Sequence, residues 1–196
     1  MPQISQDSLD QIFLRARTHK NWQDRRVEPE TLHEIYDLMK WGPTAGNCCP
    51  LRILFLTTPE SKDRLLPCLD QGNVEKTRTA PVTAVLAQDM RFFERLTKLA
   101  PHMKDPTASY EGKDSLIENT AFRNSSLQGA YFMIAARALG LDCGPMSGFD
   151  DKKVDETFFA GTSWKSNFVC NLGYGIPEKL FPRAPRLDFE EACKIL

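Results

Sequence analysis

Three observations predict a sandwich of the α+β or α/β kind, built as one domain over residues 1–196. Short apolar, β-rich runs at 51–57, 81–87 and 166–175 are interleaved with segments of helical periodicity, the pattern of a sheet covered by helices. The run Pro81-Val82-Thr83-Ala84-Val85-Leu86-Ala87 is continuously apolar, as a central strand buried on both faces must be. Neither an internal repeat nor a proline-rich linker divides the 196 residues, a length that suits one core, or one core plus a subunit interface.

Taken in order, Ser8 to Arg17 reads as a helix with Ser8 as N-cap, Asp10 in an acidic first turn, and Leu9, Ile12, Phe13 and Leu14 on its buried side. It runs into the basic cluster Arg15-Ala16-Arg17-Thr18-His19-Lys20-Asn21-Trp22. Residues 30–41 carry Leu32, Ile35, Tyr36, Leu38 and Met39 near helical spacing and predict the next helix. The strand at 51–57 is followed by a helix at 60–70 and a short polar helix or turn at 73–78. From Asp89 to Asp114 the pattern loosens, with Phe92, Phe93 and Tyr110 set among Pro101, Pro106 and Gly112. This predicts an excursion, part helix and part loop, that is either a cover for a site or a surface insertion. Ser115 to Leu139 is the longest helical signal, mostly apolar beyond Ser126, and belongs in the core or at a subunit interface. Gly140 to Phe149 predicts a glycine-rich loop after a C-cap, Asp151 to Phe159 a short helix, and 166–175 a strand ending in glycines. The tail, 176–196, sets Lys179, Arg183 and Arg186 among prolines before a short acidic helix at 189–194.

Between the 30–41 helix and the first strand lies Lys40-Trp41-Gly42-Pro43-Thr44-Ala45-Gly46-Asn47-Cys48-Cys49-Pro50. Helix-to-strand loops concentrate binding groups on a rigid scaffold. Gly42 and Gly46 allow close backbone approach, Pro43 and Pro50 stiffen the ends, and Thr44 and Asn47 offer groups that donate and accept. The segment suits a flat, polar ligand; the plain alternative is a capped connection.

A net charge of −1 with 26% charged residues argues against a nucleic-acid or membrane-surface protein. The start, Met1-Pro2-Gln3-Ile4-Ser5-Gln6-Asp7, has neither a cationic nor an apolar leader region, and no run approaches the roughly 20 apolar residues of a spanning helix. A soluble, cytoplasmic protein is expected. Cys48, Cys49, Cys68, Cys143, Cys170 and Cys193 are scattered without Cys-x-x-Cys pairs or histidines at zinc spacing, so reduced thiols and no metal are expected. A redox bridge between Cys48 and Cys49 would require strained geometry.

Nucleophile elbows, Walker loops and dinucleotide fingerprints are absent, and His19, His33 and His102 do not support a triad. A chain poor in catalytic side chains but rich in ligand loops points to a cofactor that carries the chemistry. Flavin mononucleotide (FMN) needs cations for a phosphate dianion, donors and acceptors at the pyrimidine edge, and positive charge near N1 and O2, where the reduced ring becomes anionic. Arg15 and Arg17, with Arg183 and Arg186 in the tail, suit the phosphate, while Asn73 and Lys76 share a helical face. Each cation alone also fits a solvated surface charge.

In this order the segments resemble the nitroreductase family of FMN-dependent oxidoreductases over nearly the whole chain. Arg17-Thr18-His19-Lys20-Asn21-Trp22 matches the family's Arg-Ser-x-Arg/Lys-x-aromatic motif, and Pro43 to Pro50 its Pro-Ser-Ser/Ala-x-Asn-x-Gln-Pro loop. Asn73-Val74-Glu75-Lys76 matches Asn-x-x-Lys, and Gly144 to Phe149 the loop entering Pro-x-x-Gly-Phe. Within the family, residues 40–44, 120–126 and 144–150 resemble the malonic semialdehyde reductases of pyrimidine degradation. The resemblance implies an α+β three-layer sandwich with a central mixed sheet, helices on both faces, and an intertwined homodimer with FMN at its interface.

It further implies that Arg17, Thr18 and Lys20 meet the ribityl phosphate and pyrimidine, and that Pro43, Thr44, Ala45 and Asn47 come from the partner subunit. Asn73 and Lys76 would address the polar edge, Met146, Ser147 and Gly148 would pass near N5, and Arg183, then Arg186, would hold the phosphate. Ala16 replaces an arginine of many members, with Arg15 as the substitute; Cys49 replaces a glutamine, and Ser147 a glutamate of some. The implied reaction is a ping-pong hydride transfer from NADPH or NADH through flavin N5 to malonic semialdehyde, giving 3-hydroxypropionate, with the proton from solvent or Ser147. A broad reductase of nitroaromatics, quinones or enals, and a non-catalytic flavin-binding or redox-sensing module, are the alternatives.

Overall fold

The continuously apolar run forms β2 (Val82–Asp89), buried at every position, and the sheet is assembled around it. In the computed structural model, which describes residues 2–196, β1 (Leu51–Leu56) pairs with one side of β2 and β4 (Trp164–Gly173) with the other. β3 (Asp142–Met146) then closes the far side of β4, so the order is β1-β2-β4-β3. All three pairings are antiparallel, and the mixed character expected of the sheet is reduced to one parallel bridge between Thr18 and Cys143.

Alternation along β2 sorts its side chains to two faces. Val82, Ala84 and Leu86 pack with Leu32, Ile35 and Met39 of α2 (Pro29–Met39) and with Phe132, Ala135 and Ala136 of α6 (Asp114–Ala138). Val85 and Ala87 pack with Leu65 and Leu66, which follow α3 (Pro59–Asp63), and with Val154 of α7 (Asp151–Phe158). Helices on both faces give the three layers. Each buried Ile, Val or Phe contributes about 1.5–3 kcal/mol, so these two faces hold the fold together.

Two expectations need correction. The first helix is α1 (Gln6–Leu9), capped by Ser5 rather than Ser8, and it continues as a wider π-helical turn over Asp10–Leu14. None of its residues is buried, and Phe13 and Leu14 are exposed. The Gly140–Phe149 loop contains β3, whose Gly144 and Pro145 hid it; the proline is tolerated because β3 is an edge strand.

α4 (Gln71–Arg78) supplies the expected polar helix. The excursion holds the short α5 (Leu96–Leu99) and buries Phe92, Leu96 and Ala100 against Cys48 and Ala121. It therefore leans on the 44–49 loop and the first half of α6. The tail beyond 180 is exposed throughout, and its α8 (Phe189–Ala192) is shorter than expected.

Candidate functional site

The basic segment is stapled to the β3 edge. Beside the Thr18–Cys143 bridge, the His19 amide donates to the Cys143 carbonyl at 3.0 Å. The His19 side chain is only 5% exposed, and its Nε2 lies 3.3 Å from Asp142 Oδ1 while Asp142 Oδ2 accepts from the Gly175 amide at 2.8 Å. The ring lies directly on Gly175, where an added Cβ would overlap it, so only glycine fits. Burial holds the His19 pKa below the ordinary imidazole value against the upward pull of Asp142, with Arg17 pushing it down further. Thr18 and Lys20, on either side of this anchor, are exposed.

Lys76 stands in the last turn of α4. Burial, and then the facing Lys20 ammonium, lower its pKa. Among the described residues, none of Arg17, Lys20, Lys76 and Arg183 forms an ion pair. Arg183 Nη2 donates to the carbonyls of Leu14 (2.6 Å) and Ala16 (3.0 Å), and Arg17 Nη2 returns a bond to the Phe181 carbonyl (2.6 Å). Lys20 Nζ sits 5.6 Å from the Phe181 ring centre. A guanidinium carries five donors, so both arginines keep hydrogens for an anion.

The 146–148 segment is tied to α4 from below: the Gly148 carbonyl accepts from Asn73 Nδ2 (2.6 Å) and from the Asp70 amide (3.0 Å). Met146 is buried and Ser147 exposed beside it. Arg15 forms an exposed ion pair with Asp7 at 3.0 Å, and Arg186, like Arg183, donates to backbone carbonyls, those of its neighbours Ala184 and Pro185, and keeps hydrogens for an anion.

Pro43, Thr44, Ala45 and Asn47 lie on the opposite side of the molecule, leading into β1. The loop is shaped by positive φ at Gly46 (56°), Asn47 (54°) and Cys49 (39°), which costs the two non-glycine residues about 1–3 kcal/mol each. Hydrogen bonds hold it there: Ala45 N to Asn124 Oδ1 (2.8 Å), Cys49 N to Thr44 Oγ1 (3.2 Å) and Asn47 Nδ2 to the Leu99 carbonyl (2.8 Å). Burial pushes the Cys48 thiol up to about 11, and all six cysteines are free thiols. β1 and β3 are the two edges of the sheet, three strand spacings apart, about 14 Å. Within one protomer the loop and the cations do not meet.

A groove of about 790 Å³ runs along α2 and the β1 edge, lined by Leu32, Tyr36, Trp41, Ile53 and Phe55 among others; Trp41 is 80% exposed. His33 also lines it, while His102 is exposed in the excursion. Among the described residues no cluster of metal-ligating side chains occurs, and no helix is long and apolar enough to cross a membrane. Sequence reasoning missed Asp142, Gly175 and Asn171. The one available signal was Asn171, a carboxamide inside the apolar run Phe168-Val169-Cys170-Asn171-Leu172, where a polar residue must have partners.

The Nitroreductase family profile matches residues 14–174. A protein of Burkholderia lata, provisionally named NADH dehydrogenase/NAD(P)H nitroreductase, is 56% identical over 195 residues, covering 100% of both chains. A provisionally assigned nitroreductase of Bacillus subtilis superposes with a TM-score of 0.89 at 19% identity, over 98% of this chain and 100% of that one. One from Exiguobacterium sibiricum, solved in complex with FMN, superposes with a TM-score of 0.84 at 19% identity, over 100% of each chain. At such identities the solved structures speak for the fold; the profile and the 56% identical relative speak for descent, and the chain belongs to the nitroreductase family.

Proposed function

We propose that the protein is a homodimeric, FMN-dependent NAD(P)H oxidoreductase that reduces malonic semialdehyde to 3-hydroxypropionate. Family membership and the relative's name support NAD(P)H-dependent reduction. The aldehyde rests on the likeness of residues 40–44, 120–126 and 144–150 to that branch. The observation that carries the cofactor is the cation cluster: Arg17 and Arg183 tie the N-terminal segment to the tail through backbone carbonyls, Lys20 lies against the Phe181 ring, and among the described residues neither these nor Lys76 has a carboxylate partner. A cluster of cations without carboxylates is a ready site for a phosphate and an anionic ring edge.

The residues present fit FMN. Arg17 and Arg183 would hold its phosphate, with Thr18 beside them; Arg15 and Arg186 are reserves. Lys20, Asn73 and Lys76 would face the polar edge, and Met146, Ser147 and Gly148 would border N5. When bound, FMN supplies a hydride carrier that accepts from NAD(P)H and gives to the substrate. The chain then orients both reactants over one ring, keeps positive charge at Lys20 and Lys76, and offers the exposed Ser147 hydroxyl as a relay for the proton that solvent gives the product oxygen.

A second copy completes the site. Pro43, Thr44, Ala45 and Asn47 cannot reach the cations of their own chain across β2 and β4, so they would serve the partner's flavin. Tyr36 on α2, Trp41 in the turn after it, and Leu127 and Tyr131 on α6 are exposed, as are Phe181, Leu187 and Phe189 on the tail, apolar groups that a subunit interface would cover. The excursion, buttressed on the same loop through Cys48 and the Asn47–Leu99 bond, would travel with it as a lid over that flavin. A cytoplasmic setting, where NAD(P)H is available, goes with this reading.

The test is the visible spectrum of the purified protein, followed by anaerobic NADPH and NADH. A flavin band that bleaches, and reoxidation by malonic semialdehyde with a kcat/KM above that for a nitrofuran, are expected. The relative's name favours a nitro acceptor instead, and the opposite kcat/KM order would select it. A flavin that NAD(P)H does not bleach would indicate a binding or sensing module. A colourless protein that FMN cannot reconstitute would overturn the proposal.

A further inference from the structure

Four buried side chains from different parts of the chain converge on the end of α4. Trp22 Nε1 donates to the Lys76 carbonyl at 2.9 Å, and Asn171 Nδ2 donates to the same oxygen at 3.1 Å and to Thr77 Oγ1 at 3.2 Å. Asn171 Oδ1 accepts from Thr83 Oγ1 at 2.7 Å. Thr77, Thr83 and Asn171 have no exposed surface, and Trp22 has almost none.

Carbonyls in the last turn of a helix lack partners within the helix and are ordinarily left to water or to one capping group. The last residue of α4 is served that way: Lys62 Nζ takes the Arg78 carbonyl and that of Ala80 just beyond the helix. Lys76 receives two donors, from the N-terminal segment and from β4. A buried network of this kind is stable only when every member is satisfied, so it fixes the backbone at Lys76 from two directions. Trp22 also lies two residues beyond Lys20, on the segment pinned to β3 through His19. The same network thus sets the origin of both ammonium groups.

We propose that Trp22 and Asn171 are positioning residues which, through the Lys76 carbonyl, hold the Lys20 and Lys76 ammonium groups where they favour the reduced, anionic flavin over the oxidised one. This rests on the reading of Lys20 and Lys76 as the cations at the flavin's polar edge. Neither residue need touch the ligand. A plain helix cap would influence stability alone, whereas a positioning role must appear in the redox equilibrium of the bound cofactor.

The experiment measures the midpoint potential and the FMN dissociation constant of the holoenzyme in Trp22→Phe, Asn171→Ser, Lys76→Ala and the double variant Trp22→Phe/Lys76→Ala. Trp22→Phe keeps an aromatic ring and removes only the donor. It should lower the potential by about 30 mV, a tenfold loss of preference for the reduced form in a two-electron couple. Asn171→Ser should act in the same direction, and the Trp22→Phe effect should shrink once Lys76 is gone, because Lys20 is then the one ammonium group left to position. Unchanged potentials in Trp22→Phe and Asn171→Ser, with Lys76→Ala lowered, would overturn the proposal, as would an undiminished Trp22→Phe effect in the double variant. An unchanged potential in Lys76→Ala would instead sink the flavin-edge reading beneath it. Should Asn171→Ser fail to fold, Trp22→Phe and the double variant decide.

Discussion

The two edges of the sheet are treated in opposite ways. The β3 edge is covered by its own chain: residues 18–22 lie along it, bridge it at Cys143, and bury His19 against Asp142 and Gly175. The β1 edge is bordered by a groove of about 790 Å³ with aromatic walls, while an exposed apolar tail lies elsewhere on the same molecule. Exposed strand edges invite pairing with another chain and are normally blunted or covered. One edge is therefore finished within the protomer, where the cations stand, and the other stays open beside the loop that those cations lack, where the proposed second copy would dock.

Removing the tail that a second copy would bring to the open edge should have the largest effect. Removal of residues 181–196 takes away Phe181, 74% exposed, and Phe189. If each anchors a partner at about 2 kcal/mol, dimer affinity falls by about 4 kcal/mol, roughly a thousandfold. Light scattering after size exclusion should show monomer; FMN should be lost as well, but Arg183 goes with the tail, so the oligomeric state alone reads the interface. A truncated protein that remains dimeric would move the interface elsewhere.

The finished edge is most sensitive at Gly175. An added Cβ overlaps the His19 ring, so Gly175→Ala must displace His19 or the β4 end, costing about 3 kcal/mol, or roughly 6–12 °C in Tm. Thermal denaturation of the alanine variant measures this. A Tm within 2 °C or so of the parent would mean the imidazole has somewhere else to go.

The same contrast explains what the sequence disclosed. β2 was legible because it is buried on both faces, α2 because one face meets the sheet and gives its apolar residues helical spacing, and α6 by its long, mostly apolar run. β3 was not, because an edge strand needs no apolar run and Gly144 and Pro145 read as a turn. The first helix kept its helical spacing of apolar residues but buries none of them, since Phe13 and Leu14 face outward in the protomer. Of the candidate site, the types of residue were readable but their grouping was not. Arg15 and Arg186 look like Arg17 and Arg183 in sequence; the fold pairs Arg15 with Asp7 and Arg186 with its own neighbours, while Arg17 and Arg183 join segments more than 160 positions apart. The His19–Asp142–Gly175 contact joins residues more than 120 positions apart and leaves no local signature.

Within the cationic group, Lys76→Ala should weaken FMN by about tenfold, near 1.4 kcal/mol, by removing one charge-assisted contact from a partly buried site. Fluorescence titration of apoprotein reads it directly. The fold should be untouched, because the side chain has no protein carboxylate to lose. A larger loss would place the ammonium on the phosphate, and none at all would remove Lys76 from the site.

The smallest effect expected is a pH dependence of the finished edge. His19 is packed as a neutral ring: Nε2 faces Asp142, Nδ1 is buried without a partner, and Arg17 is the other charge that bears on it. Its folded pKa lies below that of the unfolded chain, about 6.5, so the unfolded state binds the extra proton first. Stability is then fully present above about pH 6.5 and declines as the pH falls below it, because protonation of Nδ1 would bury a donor with no acceptor. Asp142 moderates the slope by drawing the imidazole pKa back up. Tm should drop between about pH 7.5 and pH 5.5, and His19→Gln, which cannot titrate, should flatten that part of the profile even where it lowers Tm overall. Parallel profiles for parent and variant would show that the acid sensitivity belongs to another group, and that the β3 edge is held by the backbone bridge rather than by the neutral imidazole.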